Sequence, residues 1–397
     1  MDSMKKTEKV VMAYDRYVMN TYKRVPLCIE KASLAKVWDI DGKVYLDFFP
    51  GWAVSGIGHC HPAVVKAINN QAKKLMHVSN NYYSEPQALL AEAIIKNSYP
   101  GKVFFANSGA EANEAAVKLA RKYGHDKGKF EIITMTKSFH GRTLAMITAT
   151  GQDKVKIGFE PLPAGFKHVP FNDIAAVKAA VSDKTAAIML EPIQCEGGIN
   201  IADPEYMRAL RLLCDEKDIV LIFDEVQTGM GRAGKIFAYQ NYDITPDVMT
   251  LAKALGGGLP IGACVARGKF GDVLTPGTHA STFGGSPIVC ASGLSVFEAI
   301  KKEKLIANTN RMGAYLKKRL EELKRKYHFI KEIRTVALII GVELSIKGDD
   351  IYKQCLEDGL LINCTQDTIL RIMPPMTVTK SEIDKAISIL DKVFSRI

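Results

Sequence analysis

Six short runs rich in β-branched and aromatic residues recur between residues 101 and 267: "KVFFAN", "FEIITM", "TAAIMLEP", "DIVLIFDE", "PDVMTLAK" and "GACVAR". Longer helical patterns such as "GAEANEAAVKLARKY" and "PEYMRALRLLCDEK" lie between them. Strands that are apolar at every position have both faces covered, and helices connecting parallel strands are what cover them. The alternation therefore predicts an α/β fold with a mainly parallel central sheet and helices on both faces. Before this region, "KVWDIDGKVYLDFF" reads as a β-hairpin around Asp41-Gly42, and "HPAVVKAINNQAKKL" as a helix begun by Pro62. After it, long helices and a few strands, including "ALIIGVEL" and "ILRIMPP", predict a smaller α+β lobe. The expected organisation is an N-terminal segment, 1–50, whose hairpin packs on the small lobe; a large domain, 51–295; and a C-terminal small domain, 296–397.

A chain of 397 residues, 47% hydrophobic and 24% charged, is long enough for two lobes around a sizeable core. Its formal charge of +10 is spread along the whole length. That distribution argues against nucleic acid as a partner and for a solvated, lysine-rich surface that attracts anionic substrates. The eight cysteines form no CxxC pair, and Cys214 and Cys264 sit in apolar segments, as expected of free thiols in a reducing compartment. "MDSMKKTEKVVMAYDRY" lacks the apolar core of a signal peptide, and no window approaches a membrane span. The expectation is a cytoplasmic protein with no membrane partner.

In open α/β sheets ligands gather at the carboxyl ends of the strands, and those ends are polar here. "DIVLIF" runs into Asp224-Glu225-Val226-Gln227, "TAAIML" into Glu191-Pro192 and "VMTLA" into Lys253. A buried ammonium costs several kcal/mol unless it is paired or neutralised. Acid and lysine at neighbouring strand ends could simply form an ion pair. A further element, "FFANSGAEANEAAVKLA", carries a strand into Ser108-Gly109-Ala110 and then a helix, whose first N–H groups suit an anion. Ser108 and Glu111 also fit a capping box, which alone would account for both. Together, a phosphate cradle, an aspartate and a lysine match pyridoxal 5'-phosphate. The lysine amine condenses with its aldehyde, the carboxylate holds its pyridine nitrogen protonated, and the helix N-terminus holds its phosphate. His59 and His61 flank Cys60 in "GHCHP" without a third partner at suitable spacing, so no metal is expected.

The ordered series "GHCHPAVVKAI", "SNNYY", "NSGAEANEAAVKLAR", "SFHGRTL", "EPIQCEGG", "LIFDEVQTGMGRAGK", "AKALGGGLPIGA" and "STFGGSP" resembles the class III aminotransferases of fold type I, over about Tyr22 to the end. The resemblance implies a seven-stranded-type central sheet and a homodimer with shared active sites. It makes Lys253 the Schiff-base lysine and Asp224 the partner of the pyridine nitrogen. Val226 and Phe139 would pack on the two ring faces, and Gln227 would reach the ring hydroxyl. Ser108, Gly109, Ala110 and Glu225 complete the cofactor contacts of one chain, while Thr282, with Ser281 beside the substrate, would come from the partner subunit. Arg142 matches the arginine that grips the substrate α-carboxylate. Arg371 and Glu196 resemble a switch in which the glutamate masks the arginine in one half-reaction and frees it for the 2-oxo acid in the other. The implied reaction moves the δ-amino group of N-acetylornithine to 2-oxoglutarate, a step of arginine biosynthesis. Succinylornithine, succinyl-diaminopimelate, 4-aminobutyrate or ornithine are the alternative donors within the class, and a non-catalytic protein on the same fold is the remote one. A nicotinamide-dependent enzyme is disfavoured, because no G-x-G-x-x-G follows an early strand. Cys195 stands where the family pattern has glycine, so it bears on the size of the substrate pocket or the movement of Glu196. The glycines at 256–258 are expected to keep side chains away from the cofactor.

Overall fold

The computed structural model describes residues 6–397; residues 1–5, the start of the stretch read for a leader, lie outside it. Seven strands form the central sheet, in the order Gly101–Ala106, Gly262–Arg267, Val248–Leu251, Val220–Asp224, Thr185–Leu190, Glu131–Met135 and Phe166–Val169. All are mutually parallel except Gly262–Arg267, which runs antiparallel to both neighbours. The mainly parallel sheet expected from the sequence is the one observed.

The unbroken apolar runs have a direct cause. Successive strand residues point to opposite faces. Val220 and Ile222 pack on one face with Ala115, Leu119 and Ala120 of the helix Gly109–Gly124. Leu221 and Phe223 pack on the other with Met207 and Leu210 of the helix Pro204–Lys217. Both faces are covered, so Val220–Asp224 is apolar at every position before Asp224. The strand Phe166–Val169, absent from the sequence reading, sits at the sheet edge; it is half-buried at three positions and carries Lys167 and His168, so it lacks the signature of the inner strands.

Past residue 300 the strands Ile330–Val336, Ile339–Leu344, Asn363–Thr365 and Ile369–Ile372 form a separate antiparallel sheet. The helices Leu305–Lys326 and Lys380–Phe394 pack on it through Leu316, Leu320, Ile383 and Leu390. The hairpin read around Asp41-Gly42 pairs Lys36–Asp39 with Val44–Asp47, closed by Gly42 N–H donating to Asp39 O at 3.0 Å. Its second strand also runs parallel to Leu360–Leu361, and Leu46 joins the C-terminal cluster. The chain thereby brings Leu46 and Phe48, at the end of the hairpin, into one cluster with Leu370 and Ile372 of the Arg371 strand. Among the described residues no helix is long and apolar enough to cross a membrane.

Candidate active site

Register brings the polar strand ends together. Asp224 is paired with Thr250 and Phe223 with Leu190, so Asp224, Glu191 and the turn that begins at Lys253 leave the sheet at one edge. There they line a cavity of about 410 Å3 whose walls also include Ser108, Gly109, Ala110, Phe139, Glu196, Val226 and Gln227.

Asp224 is held from several directions. Its Oδ1 accepts the Val226 N–H at 3.0 Å, and its Oδ2 accepts Asn113 Nδ2 at 2.7 Å. His140 Nδ1 lies 2.8 Å from the same Oδ2, the geometry of a donated ring N–H. Asn113 Nδ2 also donates to His140 O at 2.8 Å, while its Oδ1 accepts Thr250 Oγ1 at 2.6 Å. His140 Nε2 is buried with no partner among the described residues. Neither Asn113 nor His140 was singled out from the sequence. The available signal was an asparagine on the buried face of "EANEAAVKLA", where capping does not account for it.

Lys253 opens a short 3-10 turn after its strand with φ +45°, a left-handed conformation that is uncommon outside glycine and is concentrated at functional sites. Its Nζ has no hydrogen-bond or ion-pair partner among the described residues. The residue as a whole is only partly buried, but its amine lies deep enough that desolvation lowers its pKa, opposed by the nearby Glu196. Such an amine is more often neutral, and therefore nucleophilic, than a surface lysine. The glycines after it take the sharp turn expected of them. Gly257 has φ +59°, and a Cβ there would meet Val64 and Val296 at 3.0 Å; Gly258, which lines the cavity, has open space where a Cβ would stand. Turn conformation favours glycine at both positions and helix packing adds to it at Gly257, while the open space at Gly258 lies on the cavity wall.

The helix Gly109–Gly124 is capped by Ser108, whose Oγ accepts the Glu111 N–H at 3.2 Å. Glu111 reaches back one residue further than a capping box requires, to the Asn107 N–H at 2.6 Å. Capping is therefore real, yet it leaves the amides of Gly109 and Ala110 without an acceptor among the described residues. Gly109 packs so close to Val226 that a Cβ would lie 2.7 Å from its Cγ1.

Above the cavity Arg371 is fully buried and forked on Glu196, Nη1 to Oε1 at 2.7 Å and Nη2 to Oε2 at 3.2 Å. Burial would raise the Glu196 pKa, but the charge and hydrogen bonds of Arg371 outweigh it and hold the carboxyl below its ordinary value. Glu191 has no ion-pair partner among the described residues. Burial, then the charge of Asp224, push its pKa well up, while Oε2 accepts the Phe139 N–H at 3.1 Å.

Several sequence candidates stand elsewhere. The Glu225 carboxylate turns away from the cavity and accepts the N–H groups of Ala238 and Tyr239 at 2.6 and 2.7 Å. Arg142 is exposed, its guanidinium 5.4 Å from the Phe139 ring centre and outside the cavity wall. Ser281 Oγ accepts Asn107 Nδ2 of its own chain at 3.1 Å, and Thr282 is exposed. His59 pairs with Asp47 at 2.8 Å while His61 caps the helix Pro62–Ala72, so the two histidines have separate partners.

This combination of fold and site has known counterparts. The class-III aminotransferase family model matches residues 17–394, and the chain belongs to that family. It is 52% identical over 391 residues to the acetylornithine aminotransferase of Methanocaldococcus jannaschii, covering 96% of this chain and 97% of that one. It is also 52% identical over 386 residues to the acetylornithine aminotransferase of Caldanaerobacter subterraneus subsp. tengcongensis, with 96% and 98% covered. Among solved structures, the ornithine aminotransferase of Toxoplasma gondii superposes with a TM-score of 0.94 at 33% identity, over 99% of this chain and 96% of that one.

Proposed function

We propose that this class-III aminotransferase uses pyridoxal 5'-phosphate to move the δ-amino group of N-acetylornithine to 2-oxoglutarate, giving N-acetylglutamate 5-semialdehyde and glutamate in arginine biosynthesis. The observation that carries the reading is the unpartnered Lys253 amine, facing the same cavity as Asp224 and the two open amides of Gly109 and Ala110. That donor set fits the cofactor: an amine for its aldehyde, a carboxylate for its ring nitrogen, and a helix N-terminus for its phosphate. When bound, the cofactor supplies an aldehyde for amine exchange and a protonated ring that draws electrons from the substrate carbon.

The chain supplies orientation and proton movement. Asp224, fixed by His140 and Asn113, holds the ring-nitrogen proton. Lys253 Nζ, favoured neutral by burial, would take the proton from the donor's amine-bearing carbon and hand it on to the cofactor rather than back to that carbon. Phe139 and Val226, which line the cavity, would flank the ring, and Gln227 and Ser108 would complete the polar wall. Arg142, at the rim, grips the donor's α-carboxylate, and Glu196 covers Arg371 until the 2-oxo acid replaces the donor.

The choice of N-acetylornithine follows the relatives that share 52% of their residues with this chain over nearly its whole length. The ornithine aminotransferase superposes closely but shares only 33%. A homodimer is part of the proposal, with Ser281 and Thr282 reaching the partner's site. Exposed Tyr82, Tyr83 and Phe283, with Met76, support a contact surface near that segment. Cytoplasmic placement accords with eight free cysteines. A panel of N-acetylornithine, succinylornithine, succinyl-diaminopimelate, ornithine and 4-aminobutyrate with 2-oxoglutarate tests the reaction. The highest kcat/KM is expected for N-acetylornithine; preference for free ornithine or 4-aminobutyrate overturns the assignment.

A further inference from the structure

Arg371 has five N–H donors and no acceptor, and its partners fall into two groups. On one side Asn363 Oδ1 accepts from Nε at 3.1 Å and from Nη2 at 2.8 Å, and Cys195 O accepts from Nη1 at 3.0 Å. On the other side the remaining Nη1 and Nη2 donors meet Glu196, with Gln227 Oε1 a longer 3.4 Å from Nη1. The Phe49 ring lies 4.4 Å from the guanidinium carbon and Trp52 5.4 Å, so aromatic rings hold the group as well.

The two groups differ in how they are mounted. Asn363 is the cross-strand neighbour of Arg371 in the antiparallel sheet, so its position is set by backbone pairing. The Glu196 carbonyl is clamped by Thr365 Oγ1 at 2.9 Å and Gln366 Nε2 at 3.1 Å. Uncovering Arg371 is therefore a rotation of the Glu196 side chain on a fixed backbone, and the Cys195 carbonyl stays in place. Cys195 contributes to the arginine through that carbonyl, not through its thiol. Once Glu196 swings away, Arg371 presents one Nη1 and one Nη2 donor side by side, the edge that a carboxylate accepts bidentately.

We propose that Asn363 is the positioning residue for the 2-oxo acid: it holds the Arg371 fork from behind with a neutral oxygen, so orientation is fixed while the full positive charge remains for the incoming carboxylate. A carboxylate at this position would give the same shape but a permanent counter-charge, weakening capture of an anion. The proposal rests on the reading of Arg371 as the 2-oxo acid's partner.

The test uses the holoenzyme in separated half-reactions, with whichever ω-amine the wild type accepts as donor. Asn363→Asp, nearly isosteric, is expected to raise the KM for 2-oxoglutarate about tenfold or more, the scale of a hydrogen bond to a charged group, while the donor half-reaction changes less than about twofold. Asn363→Ala should move the same half-reaction, and weaker calorimetric binding of the unreactive dicarboxylate glutarate should accompany both. An equal change in both halves, or an unchanged KM for 2-oxoglutarate in N363D, overturns the proposal. Arg371→Ala separates the two levels. If R371A also leaves that KM unchanged, the reading of Arg371 itself fails; if R371A raises it and N363D does not, the role of Asn363 alone fails.

Discussion

Replacing Asn113 by alanine should destabilise the protein far more than a single helix substitution usually does. The side chain is 1% exposed and joins three elements: its amide donates to Asp224 and to the His140 carbonyl, and its oxygen accepts from Thr250. The bond to the Asp224 carboxylate is worth about 1.5–3 kcal/mol and the two neutral ones about 0.5–1.5 kcal/mol each, so about 3–5 kcal/mol should be lost. That is a large share of a typical total of about 5–15 kcal/mol. Thr250→Val keeps the shape and removes one bond, and should cost only about 1 kcal/mol. The assay is urea denaturation of the cofactor-free protein, at one fixed concentration because self-association shifts the midpoint. A loss below about 1 kcal/mol for N113A would show that water replaces the amide, and the polar cluster would not be the structural support of Asp224.

Lys253→Ala should abolish turnover, and borohydride treatment should then leave the peptide spanning residue 253 without the cofactor mass that the wild type retains. Glu225 gives a pH signature. Burial raises its pKa from 4.5 to about 7, against the hydrogen bonds of Tyr239, Ala238 and Thr228. The folded state then keeps a proton that the unfolded chain has released, so this contribution to stability is full below 4.5 and is lost as pH rises through about 7. Relative to Glu225→Gln, the wild type should lose up to about 3 kcal/mol across that window, measured by urea denaturation; a parallel pair of pH curves would refute the burial argument. Tyr83→Asp places a charge on an exposed aromatic of the proposed contact surface, and sedimentation velocity should show the mass fall by half.

The inner strands were legible because both faces of the sheet are covered: Leu221 and Ile222 are adjacent in sequence yet belong to opposite apolar layers, and both must be hydrophobic. The edge strand Phe166–Val169 was not, since only one of its residues is fully buried. Asp224 and Lys253 were visible for the complementary reason. A charged group directly after a buried strand has no packing role to explain it, so its chemistry is exposed by its position. Asn113 and His140 were hidden because their partners lie far along the chain and an asparagine in a helix carries no local mark of the strand it will meet.

The same limit separates the two arginines. Both were found by motif, and motif cannot report orientation. The structure leaves Arg142 exposed against the Phe139 ring, whereas Arg371 is buried and pinned through Asn363 and the Cys195 carbonyl. A free guanidinium can follow carboxylates on donors of different length. A pinned one offers a single edge, and that edge is already taken by Glu196. On the proposed roles, selection of the 2-oxo acid would depend on whether its carboxylate can displace one particular side chain, and selection of the donor on reach. Cys195, conspicuous in the sequence as a departure beside Glu196, touches Arg371 through its backbone oxygen, which a glycine would also possess but without a side chain packed among Ile193, Ile199 and Met373.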